Sequence, residues 1–345
     1  MQRARSRRAD RRAARALLAG ALSLASAWPV LAQDEGRDAH LALQQRDGRL
    51  FEAGWRLVTG NAAFCRRTVP AIGLLLHDAR TYPDPAAARR ALALTGDIAA
   101  QWVAAGSPAD AAGLRAGATL TRLEGRELAS AHPPSHPAWQ RPVDLQDAID
   151  RALARRGTVE LGWTAPGGAS GTARIAGVPA CRSRFEVTGI GRRAVADGER
   201  VVFGESFPGF AWPEEEFAAA VAHELAHNVL GHRAWLDRHG RSRDNVRLTE
   251  READRLMPWL LANAGYPPEA AHRFMRRWGP GNDGGLLRRR THAGWEERAA
   301  AIAAEVPLVL ASLDEGGANW SRRFRREAGM PALAGEGAGA SEHQN

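Results

Sequence analysis

Residues 217–232 read Phe-Ala-Ala-Ala-Val-Ala-His-Glu-Leu-Ala-His-Asn-Val-Leu-Gly-His. If this run is helical, His223 and His227 stand one turn apart and both imidazoles leave the same face, so they can share one metal ion. Glu224 follows the first of them, where its carboxylate can take a proton from a water activated at that ion rather than bind the ion itself. The flanks favour a helix. Phe217, Val221, Leu225 and Val229 recur every four residues in an alanine-rich run. Pro213 and the acids Glu214, Glu215 and Glu216 suit a first helical turn. Two solvent-facing histidines would have the same spacing, but the surrounding Ala and Val predict burial, and a buried imidazole needs partners for its nitrogens.

A hydrolytic zinc takes three protein ligands and keeps one open position. His232 lies five residues after His227 and so turns off the shared face. The metzincin spacing also fails, because Leu230 and Arg233 stand where its glycine and third histidine would be. Glu250 is the better candidate, in Leu248-Thr249-Glu250-Arg251-Glu252-Ala253-Asp254-Arg255-Leu256. Thr249 can cap a helix there, with Glu252 completing a capping box. Glu250 and Asp254 then share a face, the first as ligand and the second orienting a ligand histidine. The competing reading is a solvated face on which these acids pair with Arg251 and Arg255.

His-Glu-Leu-Ala-His followed by Glu-x-Glu-Ala-Asp-Arg-Leu resembles the zinc metallopeptidase family of the CAAX prenyl protease and the HtpX heat-shock protease, in its soluble periplasmic bacterial branch. Further matches follow in order: Ala194–Phe203 as the strand before the metal helix, Asn263–Ala271 as a helix break, and Thr291-His292 with Glu297-Arg298 as the closing segment. The resemblance covers about residues 185–305. It implies one zinc ion held by His223, His227 and Glu250, with Glu224 as catalytic base, Asp254 behind a ligand and His292 near the substrate. Arg193 and Ala293 depart from the family pattern, which has asparagine and proline there.

Upstream, Trp102–Gly117 (Trp-Val-Ala-Ala-Gly-Ser-Pro-Ala-Asp-Ala-Ala-Gly-Leu-Arg-Ala-Gly) resembles the core signature of bacterial PDZ domains, with Ala118 in place of the usual aspartate. Leu145, Ile149 and Leu153 predict a helix over 143–155, and 158–164 and 173–178 read as strands around a Gly-rich turn. Such a domain accepts an extended peptide as an added strand. Its carboxylate loop would be Pro70–Leu76, which can equally be an ordinary core strand. Residues 129–142, with His132 and His136, read as an inserted loop.

The first 32 residues carry seven arginines against Asp10, then a short apolar run ending Val30-Leu31-Ala32. This predicts a secretory signal cleaved before Gln33, with an uncut anchor as the alternative. Removing it takes +6 from the formal +8, leaving +2, too little to argue for nucleic acid or an anionic membrane. The chain has no lysine, so its arginines are no sign of phosphate recognition. No later run approaches the ~18 apolar residues of a membrane span. Cys65 and Cys181 in an exported chain suggest one disulfide, with two buried thiols as the alternative.

The expected architecture is α+β: signal peptide 1–32, N-terminal helix or arm 33–69, PDZ-like β-rich domain 70–178, mostly helical metallopeptidase domain 179–326 with a small sheet, and a disordered tail 327–345. The expected function is an exported, periplasmic or secreted zinc endopeptidase acting on protein or peptide substrates. The alternative is a peptide-binding adaptor on a catalytically weak scaffold.

Overall fold

Helix α1 (Trp28–Gly60) contacts both halves of the molecule, and its glycines allow it to. A Cβ on Gly48 would lie 2.3 Å from the Trp102 ring, and one on Gly54 would lie 2.5 Å from Phe185. The first ring belongs to the larger sheet and the second to the smaller, so α1 is the common wall of the two. The computed structural model describes residues 28–281 and 294–331. The predicted cleavage point at Ala32 falls within α1, whereas residues 1–27 lie outside the described part.

The chain is α+β. The first sheet is antiparallel and built from β2 (Leu74–Asp78), β3 (Ile98–Val103), β4 (Thr119–Leu123), β6 (Thr158–Thr164) and β7 (Ser170–Ala176), side by side in that order. The short β5 (Arg126–Glu127) pairs with β4. Around it lie α2 (Pro85–Ala91), α3 (Pro108–Ala111), α4 (Leu128–Ala131) and α5 (Gln140–Arg156). The spacing of Leu145, Ile149 and Leu153 buries all three against the sheet, beside Val159 and Leu161. Gly157, at φ +70°, ends α5 and turns the chain into β6. Parts of the expected 129–142 loop are helical, belonging to α4 and the first turn of α5.

A two-stranded ribbon joins this part to the rest: β1 (Thr68–Ala71) pairs with β8 (Val178–Cys181), placing Thr68 opposite Cys181. Cys65 and Cys181 are disulfide-bonded, with Cα atoms 5.6 Å apart.

The helical part opens with β9 (Arg184–Thr188), β10 (Ala194–Ala196) and β11 (Arg200–Gly204), in the order β10-β11-β9. The stretch Val201–Phe203, part of the strand expected before the metal helix, lies in the central strand and is paired on both sides. Its near-complete burial explains this, because a strand covered on both faces belongs inside a sheet. Five helices follow: α6 (Glu214–Val229), α7 (His232–His239), α8 (Arg243–Asn263), α9 (Ala270–Trp278) and α10 (Trp295–Leu313), then the short α11 (Trp320–Arg323). Helices α6 and α8 pack together and share one core with the inner face of α1. No helix among the described residues is long and apolar enough to cross a membrane.

Candidate metal centre

Helix α6 is buried on nearly all sides as far as His223: Phe217 through Ala222 are all covered, and Leu225 and Ala226 beyond it. Small side chains allow this close packing, and the acids of the first turn sit where the helix dipole favours them. Asn228, next to the second histidine, pins the far end. Its amide donates to Ser183 Oγ and to the Arg200 carbonyl, and it accepts from the Gly198 N–H.

Helix α8 differs from expectation at its start. Ser242, not Thr249, is the cap and accepts from the Asn245 N–H, while Thr249 sits within the helix and donates to the Val246 carbonyl. An earlier good cap won, because helix propagation costs little once a turn is nucleated. Glu250 and Asp254 remain one turn apart and face α6.

His223 Nε2 and His227 Nε2 are 3.3 Å apart. Glu250 Oε2 is 3.5 Å from the first and Oε1 is 3.6 Å from the second. Donor atoms ~2.0–2.2 Å from a tetrahedral ion stand roughly 3.3–3.6 Å apart. The two imidazole nitrogens have that spacing, each faces a different oxygen of the Glu250 carboxylate at a similar distance, and one ligand atom from each of the three residues lies within 4.8 Å of the other two. Among the described residues this is the only group of histidine, cysteine and acidic side chains arranged to hold a metal, so His132 and His136 are not part of one. The two histidine side chains are 11% and 15% exposed and that of Glu250 is 38% exposed, so the group opens to solvent on the Glu250 side. A protein-lined triangle with one open direction is the form a hydrolytic site needs.

Asp254 is buried behind His223, with Oδ1 3.2 Å from Nδ1. The contact is oblique, so Nδ1 has no well-aligned hydrogen bond. Arg298, from α10, grips Asp254 through two hydrogen bonds of 2.5 and 2.9 Å and reaches Glu250 Oε2 at 3.5 Å. In the sequence Arg298 stands out only as part of the closing segment, and its bridge between Asp254 and Glu250 depends on the packing of α10 against α8.

The charges follow from this packing. Burial pushes the Glu224 carboxyl up, and the charge of Glu250 adds to it against the opposing pull of His223, giving about 7. Burial alone would push His223 down, but Asp254 and Glu250 outweigh it and raise it to about 10. Burial holds His227 low, at about 3. Glu250 is held well below its ordinary value: its partial desolvation would raise it, but His223, His227 and Arg298 outweigh that. The cluster thus keeps one carboxylate ionised beside the histidines and another, Glu224, near neutrality. Among the described residues no hydrogen bond engages the Glu224 carboxylate, which leaves it available to a bound molecule.

His232, set aside as a ligand, is not in the triangle. Gly231, at φ +71°, breaks α6 from α7 and brings His232 back against the outer side of His227, at 2.9 Å between their Nδ1 atoms. His292 lies outside the described residues. A cleft lined by Arg192, Pro208, Trp212, Arg277, Trp278 and Gly281 contains none of the three candidate ligands.

Comparison of the chain with protein-family models, curated proteins and solved structures gave no match.

Proposed function

We propose that the protein is a zinc-dependent endopeptidase whose ion is held by His223, His227 and Glu250. The observation that carries this is the grouping of His223 Nε2, His227 Nε2 and the Glu250 carboxylate, the nitrogens 3.3 Å apart and facing separate carboxylate oxygens at 3.5 and 3.6 Å, with Glu224 adjacent in sequence. Two imidazoles and one carboxylate are a donor set that zinc uses in hydrolytic sites. When bound, zinc acidifies water and polarises a carbonyl. Glu224 accepts the proton of the attacking water, and an acid poised near 7 can then return it to the departing amine. Asp254 and Arg298 hold His223 and Glu250 in place from behind. The resemblance to the CAAX prenyl protease and HtpX family supports a peptide as substrate.

Edge strands β10 and β9, rather than the central β11, are the parts of the small sheet that can pair with an extended substrate. The family resemblance, the disulfide and the expected signal support a periplasmic or secreted location. The decisive experiment is Glu224→Gln. Zinc content should stay at one ion per chain while turnover of an unfolded protein substrate falls ~10²–10⁴-fold. Unchanged turnover would exclude the mechanism.

A peptide-binding role for the β-rich part is a second reading, favoured by one feature. Strand β2 ends the larger sheet and α5 packs against it, and a strand at a sheet edge beside a helix is where a PDZ domain takes a peptide. A peptide with a free C-terminal carboxylate should bind the Glu224→Gln protein and its amidated form should not. Equal binding of both forms would exclude terminal recognition. An adaptor without peptidase activity would show that binding with no hydrolysis by the wild type.

A further inference from the structure

His232 is a buried histidine that the proposed chemistry does not use. It stands at the middle of a buried chain. Its Nδ1 faces His227 Nδ1 at 2.9 Å, and its Nε2 lies 3.0 Å from Glu252 Oε2. Glu252 is fully buried and accepts from Arg326 Nε at 2.6 Å, Arg326 Nη2 at 2.7 Å and the Glu327 N–H at 2.8 Å. Arg326 belongs to the segment after α11, and its side chain is 8% exposed.

The donors and acceptors of this chain have one consistent assignment that allows metal binding. A guanidinium only donates, so the Glu252 carboxylate gripped by Arg326 is ionised and only accepts. His232 Nε2 must therefore carry a hydrogen. Glu252 and Arg326 already neutralise each other, and a cationic His232 would add an uncompensated buried charge. Neutral His232 leaves its Nδ1 as an acceptor, so His227 Nδ1 must donate. The lone pair of His227 then sits on Nε2, the atom facing His223 and Glu250.

We propose that His232, fixed by Glu252 and Arg326, is a positioning residue that sets the tautomer and ring plane of His227 so that Nε2 presents its lone pair to the metal. The inference rests on the reading that these residues hold zinc. A consequence is that the segment around Arg326 supports a site whose ligands lie some 75–100 positions earlier in the chain. Helix α8 then supplies a ligand, Glu250, and the outer carboxylate behind each histidine: Asp254 for His223, and Glu252, through His232, for His227.

The test has two arms, both on the full chain. Long-range proton–nitrogen spectra of histidine-labelled wild type should show His227 protonated at Nδ1 and bare at Nε2; the opposite tautomer would overturn the inference. Zinc affinity is then measured by chelator competition for wild type, His232→Phe, His232→Gln and Arg326→Met. Loss of such an outer partner typically costs 10–100-fold, and His232→Phe should fall in that range. His232→Gln should recover part of the loss, because its amide carries one acceptor and one donor. Thermal melting of each variant without zinc separates positioning from mere stability. A His232→Phe protein that melts lower yet binds zinc within about twofold of wild type would overturn the inference. Wild type that takes up no zinc would instead overturn the metal reading itself, whatever the tautomer.

Discussion

Breaking the Cys65–Cys181 bond by replacing both cysteines with serine should cost a large part of the protein's stability. The two residues are 116 apart in sequence, so the bond closes a loop that contains the whole larger sheet. Chain-entropy arithmetic for a loop of that length gives about 5 kcal/mol at 25 °C, arising from restriction of the unfolded chain. The folded state contributes a further loss, because two hydroxyls would replace a bond of which Cys181 is a buried part. Native domains have only about 5–15 kcal/mol in hand, so the variant should sit near the margin of folding. The assay is urea unfolding followed by tryptophan fluorescence, on wild type with and without reductant and on the double variant. The midpoint should fall, and the slope should rise as the freed unfolded chain exposes more surface. Reduced wild type should behave like the variant. A loss below about 1 kcal/mol would refute the reasoning, since it would mean that the unfolded chain is no freer without the bond.

Glu250→Ala should lower zinc affinity by more than the roughly 10–100-fold typical of a lost outer-shell partner, because two histidines leave the ion under-coordinated; chelator competition reads this, and undiminished affinity would remove Glu250 from the site. Asp47→Asn should stabilise the fold at neutral pH. Burial, with Glu186 nearby, raises the Asp47 carboxyl to about 6, despite hydrogen bonds from Gln101 and the Val187 N–H. An acid raised in the fold is a destabilising term when ionised, and that term disappears as pH falls through about 6 toward the ordinary 3.8. The advantage of the variant in urea unfolding should therefore be up to about 3 kcal/mol at pH 7.5 and shrink toward pH 4. A difference that does not change with pH would refute the assignment.

Much of the local structure was legible in the sequence because it rests on short-range rules. Four-residue periodicity and alanine content specify α6 and the shared face of His223 and His227. The strands and helix expected between residues 143 and 178 correspond to α5, β6, β7 and the start of β8, because alternation and a terminating glycine are local signals. Helix α8 starts several residues before Thr249, since Ser242 also satisfies the capping rules and the helix runs on from the earlier cap. The tail expected from residue 327 begins with an anchored residue: Glu327 pairs with Arg251 and Arg255, while residues 332–345 lie outside the described part.

By itself the sequence determined the chemical repertoire: two histidines at one turn's spacing, a carboxylate beside them, a second acidic pair at one turn's spacing, and two cysteines. Those are properties of residue type and helical pitch. Tertiary structure alone decided which distant groups complete the repertoire. It brought Glu250 to the two imidazoles, Arg298 to Asp254, and Arg326 through Glu252 and His232 to His227. In a chain whose only strong cations are arginines, charge pattern cannot single out two of them. Their partners are chosen by burial, since an ionised carboxylate removed from water must be met by whatever cation the fold delivers.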